Sequence, residues 1–330
     1  MPSLDPAIAE IRLAVRTALA DLPEGSTVIV ALSGGADSLA LAAATAFEAP
    51  KLGLGAAAVT VDHGLQADSA ETAARAARAA ADLGLDPLVV RVDVSGDGGP
   101  EAAARAARYR VLRDAAADAR AAAVLLGHTL DDQAETVLLG LARGSGAASL
   151  QGMAPEREDD EGVRWLRPLL GARRTTTRAA CAAAGLEPWD DPHNRDDRYT
   201  RVRVRERVLP VLETELGPGI AEALARTAEQ LREDAEAFDE MIHETIEDIV
   251  EHAEAGISVS VAALAANPAA LRNRIIRLVV DSEFGVSLTR TQTVEVARLV
   301  TDWAGQGPID LPGCAATRRG GQLVFTATGR

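Results

Sequence analysis

Cysteine is almost missing from this chain: Cys181 and Cys314 are the only two in 330 residues. That excludes a disulfide framework and any C-x-x-C metal or sulfur-relay site. Aromatic residues are nearly as scarce, at 3%, so a core has to be built from Ala, Val and Leu. Lysine occurs once, as Lys51, far from any glycine loop, which excludes a Walker-type phosphate loop. No apolar run reaches eighteen residues, and no basic stretch precedes an apolar one at the N-terminus. A soluble cytoplasmic protein with no membrane partner is therefore expected. Positive charge is in deficit, with 34 Lys+Arg against 49 Asp+Glu and a net charge of −15. Nonspecific nucleic-acid binding by the whole surface is thus disfavoured, although a local basic patch could still dock a polyanion. A hydrophobic content of 47% is ordinary for a globular protein. The length makes more than one domain the expectation.

What is present is organised around Ser33-Gly34-Gly35-Ala36-Asp37-Ser38. These residues follow Thr27 to Leu32, an apolar run rich in β-branched residues and short enough for a buried strand. They precede Leu39 to Phe47, which reads as a helix. Paired glycines let the backbone approach a ligand closely and adopt positive φ. A helix start offers unpaired N–H groups and partial positive charge, which suits phosphate. Ser33 and Ser38 add hydroxyl donors. Asp37 would repel phosphate unless a cation lay between them, so Mg²⁺ at Asp37 is expected.

Along the chain, Asp5-Pro6 reads as a helix cap followed by an amphipathic helix through Ile8, Ile11, Val15 and Leu19. Further strands are expected at Leu54 to Val61, Leu88 to Val94 and Ala123 to Gly127. Helices are expected at Ser69 to Leu83 and Glu101 to Ala119. This alternation predicts an α/β fold with a doubly wound, mostly parallel sheet. Ligands gather at the carboxyl ends of such strands, where Ser33 to Ser38, Asp62-His63 and Gly127-His128 converge. Asp62 and His63 would flank the adenosine of a nucleotide, or simply form a turn. Arg105, Arg108 and Tyr109 share a helix face, from which an arginine could neutralise phosphate. Asp131 and Asp132 near a helix start are ordinary caps. Asp132 and Glu135, however, also project together, as a carboxylate pair suited to Mg²⁺ or an ammonium group.

The S-G-G-A-D-S loop resembles the signature of the PP-loop, or N-type, ATP pyrophosphatases, which split ATP between the α- and β-phosphates. The series continues with V-D-H-G-L at Val61 to Leu65, E-x-x-x-R-x-x-R-Y from Glu101 and G-H-T-L-D-D-Q-A-E-T from Gly127. R-P-L-L at Arg167 and D-P-H-N-R-D-D-R-Y-T-R-V-R-V-R from Asp191 complete it. As a set this resembles the bacterial tRNA(Ile)-lysidine synthetase family over residues 25–215, with Val202 standing where that family has asparagine. The resemblance implies ATP-dependent ligation of L-lysine to the wobble cytidine of a CAU-anticodon tRNA(Ile). It implies that Gly34, Gly35, Ala36 and their neighbours hold pyrophosphate, and that Asp37 holds Mg²⁺. Asp132 and Glu135 would grip lysine with His128 nearby, and Arg108 and Arg205 would meet phosphate or adenylate. Another PP-loop enzyme, such as a tRNA 2-thiolase or an amide synthetase, would share the ATP half. The absence of C-x-x-C pairs and of a glutaminase segment counts against these. A noncatalytic nucleotide- or RNA-binding module is the remaining alternative.

Between Arg164 and Arg207, eleven arginines face six carboxylates, the best candidate on this acidic chain for RNA phosphates. Pro210 and Gly217-Pro-Gly219 read as a linker. Catalytic residues 1–215 and a smaller, mainly helical tRNA-binding domain at 216–330 are therefore expected. The second would contain a long helix from Ile220 to Glu254, helices Pro268 to Glu283 and Thr291 to Val300, and a late hairpin of Cys314 to Arg318 with Val324 to Ala327. His243 and His252 read as surface residues, and an oligomer is compatible with the sequence.

Overall fold

The computed structural model describes residues 4–64, 68–92, 100–144, 146–191, 196–253 and 256–328. Leu65, the 95–99 loop, Arg195 and the side chains of Glu101 and His252 lie outside this description. The chain divides into two compact units, Met1–Arg232 and Glu233–Arg330.

In the first unit, Asp5 accepts the Ala7 N–H and starts α1 (Pro6–Leu19), which buries Ile11, Val15 and Leu19. Strands β1 (Thr27–Ala31), β2 (Gly55–Asp62), β3 (Asp86–Arg91) and β4 (Ala121–Leu125) alternate with α2 (Ala36–Glu48), α3 (Ser69–Asp82) and α4 (Pro100–Ala119). After β4 come α5 (Leu130–Ala142), α6 (Ala147–Leu150), β5 (Glu156–Glu158) and β6 (Arg164–Leu166). The six-stranded sheet runs β3-β2-β1-β4-β6-β5, parallel except for β5.

Successive strand residues face opposite layers, as the two-residue period requires. Val28, Val30, Ala58, Ala123 and Leu125 pack with α1, α2 and α3, while Ile29, Val59 and Val124 pack with Val111 and Leu112 of α4. Both faces are covered, which is why these strands read as continuous apolar runs. Chain order reverses between β1 and β4, so the loops leaving their carboxyl ends open a crevice there.

The unit closes with α7 (Arg174–Ala183), α8 (Thr200–Arg203), a π-helical turn (Val204–Val208) and α9 (Leu209–Glu215). Pro210 has no N–H to give the Glu206 carbonyl, a defect that the wider turn absorbs. Val202 is buried here, so an apolar side chain suits its place.

The helix α10 (Ile220–Ile249) contains the division between units. It falls later than the expected 215/216 boundary because the first turns of α10 belong to the catalytic unit. Ile220, Leu224 and Ala225 pack beside Leu130 and Ala134, and Glu213 accepts the N–H groups of Gly219 and Ala221.

The second unit has more strand than a mainly helical domain would show. Strands β7 (Val250–Ala253) and β8 (Gly256–Ser260) precede α11 (Val261–Ala266), α12 (Ala269–Phe284) and α13 (Arg290–Thr301). Strands β9 (Ile309–Leu311), β10 (Cys314–Arg319) and β11 (Gln322–Ala327) then complete a five-stranded antiparallel sheet, β7-β8-β11-β10-β9. The expected β10–β11 hairpin forms, with Cys314 opposite Ala327. Alternate residues Cys314, Ala316, Leu323 and Phe325 are buried against Ile275, Ile276 and Val296.

Candidate active site

The loop after β1 is a braced anion cradle. Gly34 takes φ 85°, which glycine adopts without strain, and its carbonyl accepts the Trp189 N–H at 2.9 Å. The first helical bond of α2 is Leu39 N–H to the Gly35 carbonyl at 2.9 Å. That geometry leaves the Ala36, Asp37 and Ser38 N–H groups as the free donors of the helix start. Ser38 works inside the loop. Its hydroxyl donates to the Gly35 carbonyl at 3.0 Å and accepts from Ser33 N–H at 3.2 Å. Ser33 Oγ also lies within hydrogen-bond reach of that hydroxyl, at 3.1 Å. Gly127, at the end of β4, lies so close that a Cβ there would sit 3.1 Å from Ser38 N and Asp37 C.

A cavity of about 660 Å³ opens over this loop, lined by Gly35, Ala36, Asp37, Asp62, His63, Arg108, His128, Asp132, Arg174 and Arg205 among others. On its β2 side, Asp62 accepts the Gly64 N–H at 3.0 Å. Burial pushes the Asp62 carboxyl up, but that N–H, Ser69 and Arg91 outweigh it and hold it below its ordinary range. Burial and the neighbouring Arg108 push His63 down. Arg108 is half-buried, and its buried Nε has no hydrogen-bond partner. Burial, with Arg105 adding, lowers its pKa. No carboxylate pairs with it among the described residues, so the guanidinium remains available to an anion. Burial drives His128 down to about 3 against the pull of Asp132, so its imidazole is neutral near pH 7, and its Nδ1 is unpartnered.

Facing these is an ion cluster assembled by α5, α7 and α8. Asp132 completes a capping box: its Oδ2 accepts Thr129 N–H at 2.8 Å and Thr129 Oγ1 at 2.9 Å. Its Oδ1 takes Arg174 Nη2 at 2.9 Å. Burial alone would raise its pKa, yet Arg174, the Thr129 N–H and Arg205 hold it below normal. Asp131 caps a different helix, accepting the Arg174 N–H at 2.8 Å at the start of α7. Glu135 is fully buried and receives Arg205 Nε at 2.7 Å, Arg205 Nη2 at 3.0 Å and Arg174 Nη2 at 3.3 Å. Arg201 lies 3.8 Å away.

Asp37 accepts the Thr177 hydroxyl at Oδ1, while its Oδ2 faces Arg174 Nε at 3.6 Å. Burial raises its pKa, only partly countered by Thr177 and Arg174. Among the described residues no three His, Cys, Asp or Glu side chains form a metal cage. One carboxylate beside phosphate donors is nevertheless a donor set that fits Mg²⁺, which is commonly held by one or two carboxylates plus substrate phosphates.

The chain matches the PP-loop domain family over residues 9–212 and the TilS substrate binding domain over residues 260–324. It is 62% identical to the tRNA(Ile)-lysidine synthase of Leifsonia xyli subsp. xyli over 92% of this chain and 91% of that protein. It is 52% identical to the tRNA(Ile)-lysidine synthase of Thermobifida fusca over 98% of each. The chain belongs to the tRNA(Ile)-lysidine synthase family. Among solved structures, the U34-tRNA thiolase NcsA of Methanococcus maripaludis superposes with a TM-score of 0.59 at 20% identity, covering 69% of this chain and 79% of that one. That is a likeness of fold.

In this lysidine synthase family member, the structure gathers Ser33, Gly35, Ala36, Asp37, Ser38, Asp62, His63, Arg108, His128, Asp132 and Arg205 around one cavity. Gly34 shapes the loop without lining the cavity. Glu135 differs from the expected open amine clasp. It lies instead on a separate cavity of about 340 Å³, with its carboxylate occupied by arginines. The arginine-rich segment also spends much of its charge internally: Arg173 on Glu222, Arg174 on Asp132, Arg178 on Asp190 and Arg198 on Asp196. The sequence reading counted Arg174 only among the arginines of the basic segment and did not single out Thr177. The available signal was Arg174, Thr177 and Cys181 at i, i+3 and i+7 on an alanine-rich helix, a buried stripe that carries polar groups.

Proposed function

We propose that this protein ligates L-lysine to C2 of the wobble cytidine in a CAU-anticodon tRNA(Ile), at the expense of ATP. The observation that carries the proposal is the single cavity with a phosphate cradle on one wall and neutral His128 beside ionised Asp132 on another. The cytidine C2 oxygen attacks the α-phosphate, and pyrophosphate leaves toward the free N–H groups of Ala36 to Ser38. Asp37 would hold Mg²⁺, which neutralises charge on the leaving pyrophosphate. Arg108 meets the charge developing on the α-phosphate, and Asp62 and His63 flank the adenosine.

Lysine then displaces AMP. Its amine has a pKa of about 10.4, so freeing the lone pair at neutral pH costs roughly 4–5 kcal/mol. His128 is depressed to about 3 and Asp132 lies below its ordinary range, so neither retains that proton, which leaves to solvent. As hydrogen-bond acceptors the two orient the freed amine for attack. Glu135 acts indirectly by fixing Arg205 and Arg174 at the cavity edge. The second unit, matched by a substrate binding domain, holds the tRNA.

The test is mass spectrometry of nucleosides from tRNA(Ile) incubated with the protein, ATP and lysine. Lysidine is expected, with an adenylated tRNA accumulating when lysine is omitted. Pyrophosphate release without a lysine-dependent product would count against the reading.

A further inference from the structure

Thr177 is fully buried on α7, and its hydroxyl lies within hydrogen-bond reach of two acceptors. One is the Arg174 carbonyl at 2.8 Å, and the other is Asp37 Oδ1. A threonine hydroxyl has one proton to donate. The carbonyl three residues back is an acceptor that the helix supplies by itself, so a buried threonine needs no aspartate to be satisfied. The contact with Asp37 is therefore additional, and it reaches across 140 residues of sequence. The same stripe of α7 touches the loop again one turn on, where Cys181 Sγ donates to the Ala36 carbonyl at 3.4 Å. Burial pushes that thiol up to about 11, so Cys181 buttresses the loop and is not a nucleophile.

We infer that Thr177 is a positioning residue for the Asp37 carboxylate, holding Oδ1 so that Oδ2 is the oxygen offered to Mg²⁺. Oδ2 faces Arg174 Nε at 3.6 Å, with Arg205 adding a weaker attraction to the carboxylate, and among the described residues it has no hydrogen bond that a metal would have to break. The Arg174 carbonyl is the alternative acceptor that keeps the Thr177 proton satisfied whenever the carboxylate shifts. The inference rests on the reading of Asp37 as the metal-side carboxylate, and the control below separates the two.

The experiment is calorimetric binding of a nonhydrolysable α,β-methylene ATP analogue to the full chain, with and without Mg²⁺, for the parent and for Thr177→Val and Thr177→Ser. The valine variant should bind the Mg²⁺-loaded analogue about tenfold more weakly, equivalent to about 1.4 kcal/mol, with metal-free binding unchanged. The serine variant, which retains the hydroxyl, should match the parent. A merely structural threonine would lower the melting temperature without separating the two binding modes. Parent-like Mg²⁺ dependence in Thr177→Val overturns the inference, as does a serine variant as weak as valine. If the valine variant does not fold, Thr177→Ala takes its place, because it removes the hydroxyl without setting a methyl against the carboxylate. Asp37→Asn is the control. If it keeps full Mg²⁺ dependence, the metal reading of Asp37 fails whatever Thr177 does.

Discussion

Arg108 is a half-buried guanidinium that no carboxylate pairs among the described residues, a costly arrangement. The cost has a purpose if an anion completes the site. Arg108→Met should therefore leave the melting temperature unchanged or raised while adenylation falls about 10²–10³-fold. Calorimetry and pyrophosphate release read the two effects separately, and a destabilised but active variant would contradict the assignment. His128 carries a similar burden. Its pKa is near 3 when folded and about 6.5 when unfolded, so between these values the unfolded chain binds a proton that the folded one does not. Stability contributed by neutral His128 is complete above about pH 6.5 and is lost as pH falls toward 3. Denaturation midpoints measured between pH 7 and 4 should fall less steeply in His128→Gln than in the parent, by the slope of one proton.

At the scale of elements, the cavity is held by contacts between helices that are distant in sequence. Glu135 of α5 gathers Arg174 of α7 and Arg205 of the π-helical turn. Glu135→Gln leaves buried arginine charge undercompensated and should cost about 3 kcal/mol. It should impair pyrophosphate release as well as lysine transfer, since both arginines line the shared cavity. A loss confined to lysine transfer would restore Glu135 as a direct amine ligand. Gly127→Ala would press a methyl onto the backbone at Asp37 and Ser38, and it should weaken nucleotide binding with little effect on the second unit.

The alternation of strands and helices through β4 was legible because β1, β2 and β4 are short, largely apolar runs and the alanine-rich stretches between strands are long enough for helices. β5 (Glu156–Glu158) and β6 (Arg164–Leu166) were not, because three-residue strands rich in charge carry no period. β8 (Gly256–Ser260) escaped for a related reason: it is only five residues long. The cradle at Ser33 to Ser38 was visible as one contiguous stretch. The ion cluster was not, since nothing in the order of residues says that Glu135 will bury itself among arginines some forty and seventy positions away.

On the scale of the whole molecule, a chain of net charge −15 has to bind a polyanion. No helix among the described residues is long and apolar enough to cross a membrane, and α10 is rich in Asp and Glu. The arginines from Arg164 to Arg207 would suffice as a docking strip if they were free, yet several of them are paired within the fold. An arginine already bound to a carboxylate must exchange partners to meet a phosphate, so it neutralises fewer phosphates and releases fewer of the cations condensed on the RNA. Each newly neutralised phosphate contributes a slope of about 0.7–0.9 in log affinity against log salt. tRNA binding should therefore weaken as salt rises, but with a slope well below that expected from eleven free arginines. Substituting the internally paired Arg198 should barely change that slope. In the second unit, Arg277 is exposed, its pKa lowered by partial burial and by the like charges of Arg274 and Arg290, and it should contribute a full phosphate contact. Arg277→Ala is thus expected to flatten the salt dependence by close to one contact, measured by tRNA binding across a salt series. An Arg198 effect larger than that of Arg277 would return the docking surface to the arginine strip of the first unit.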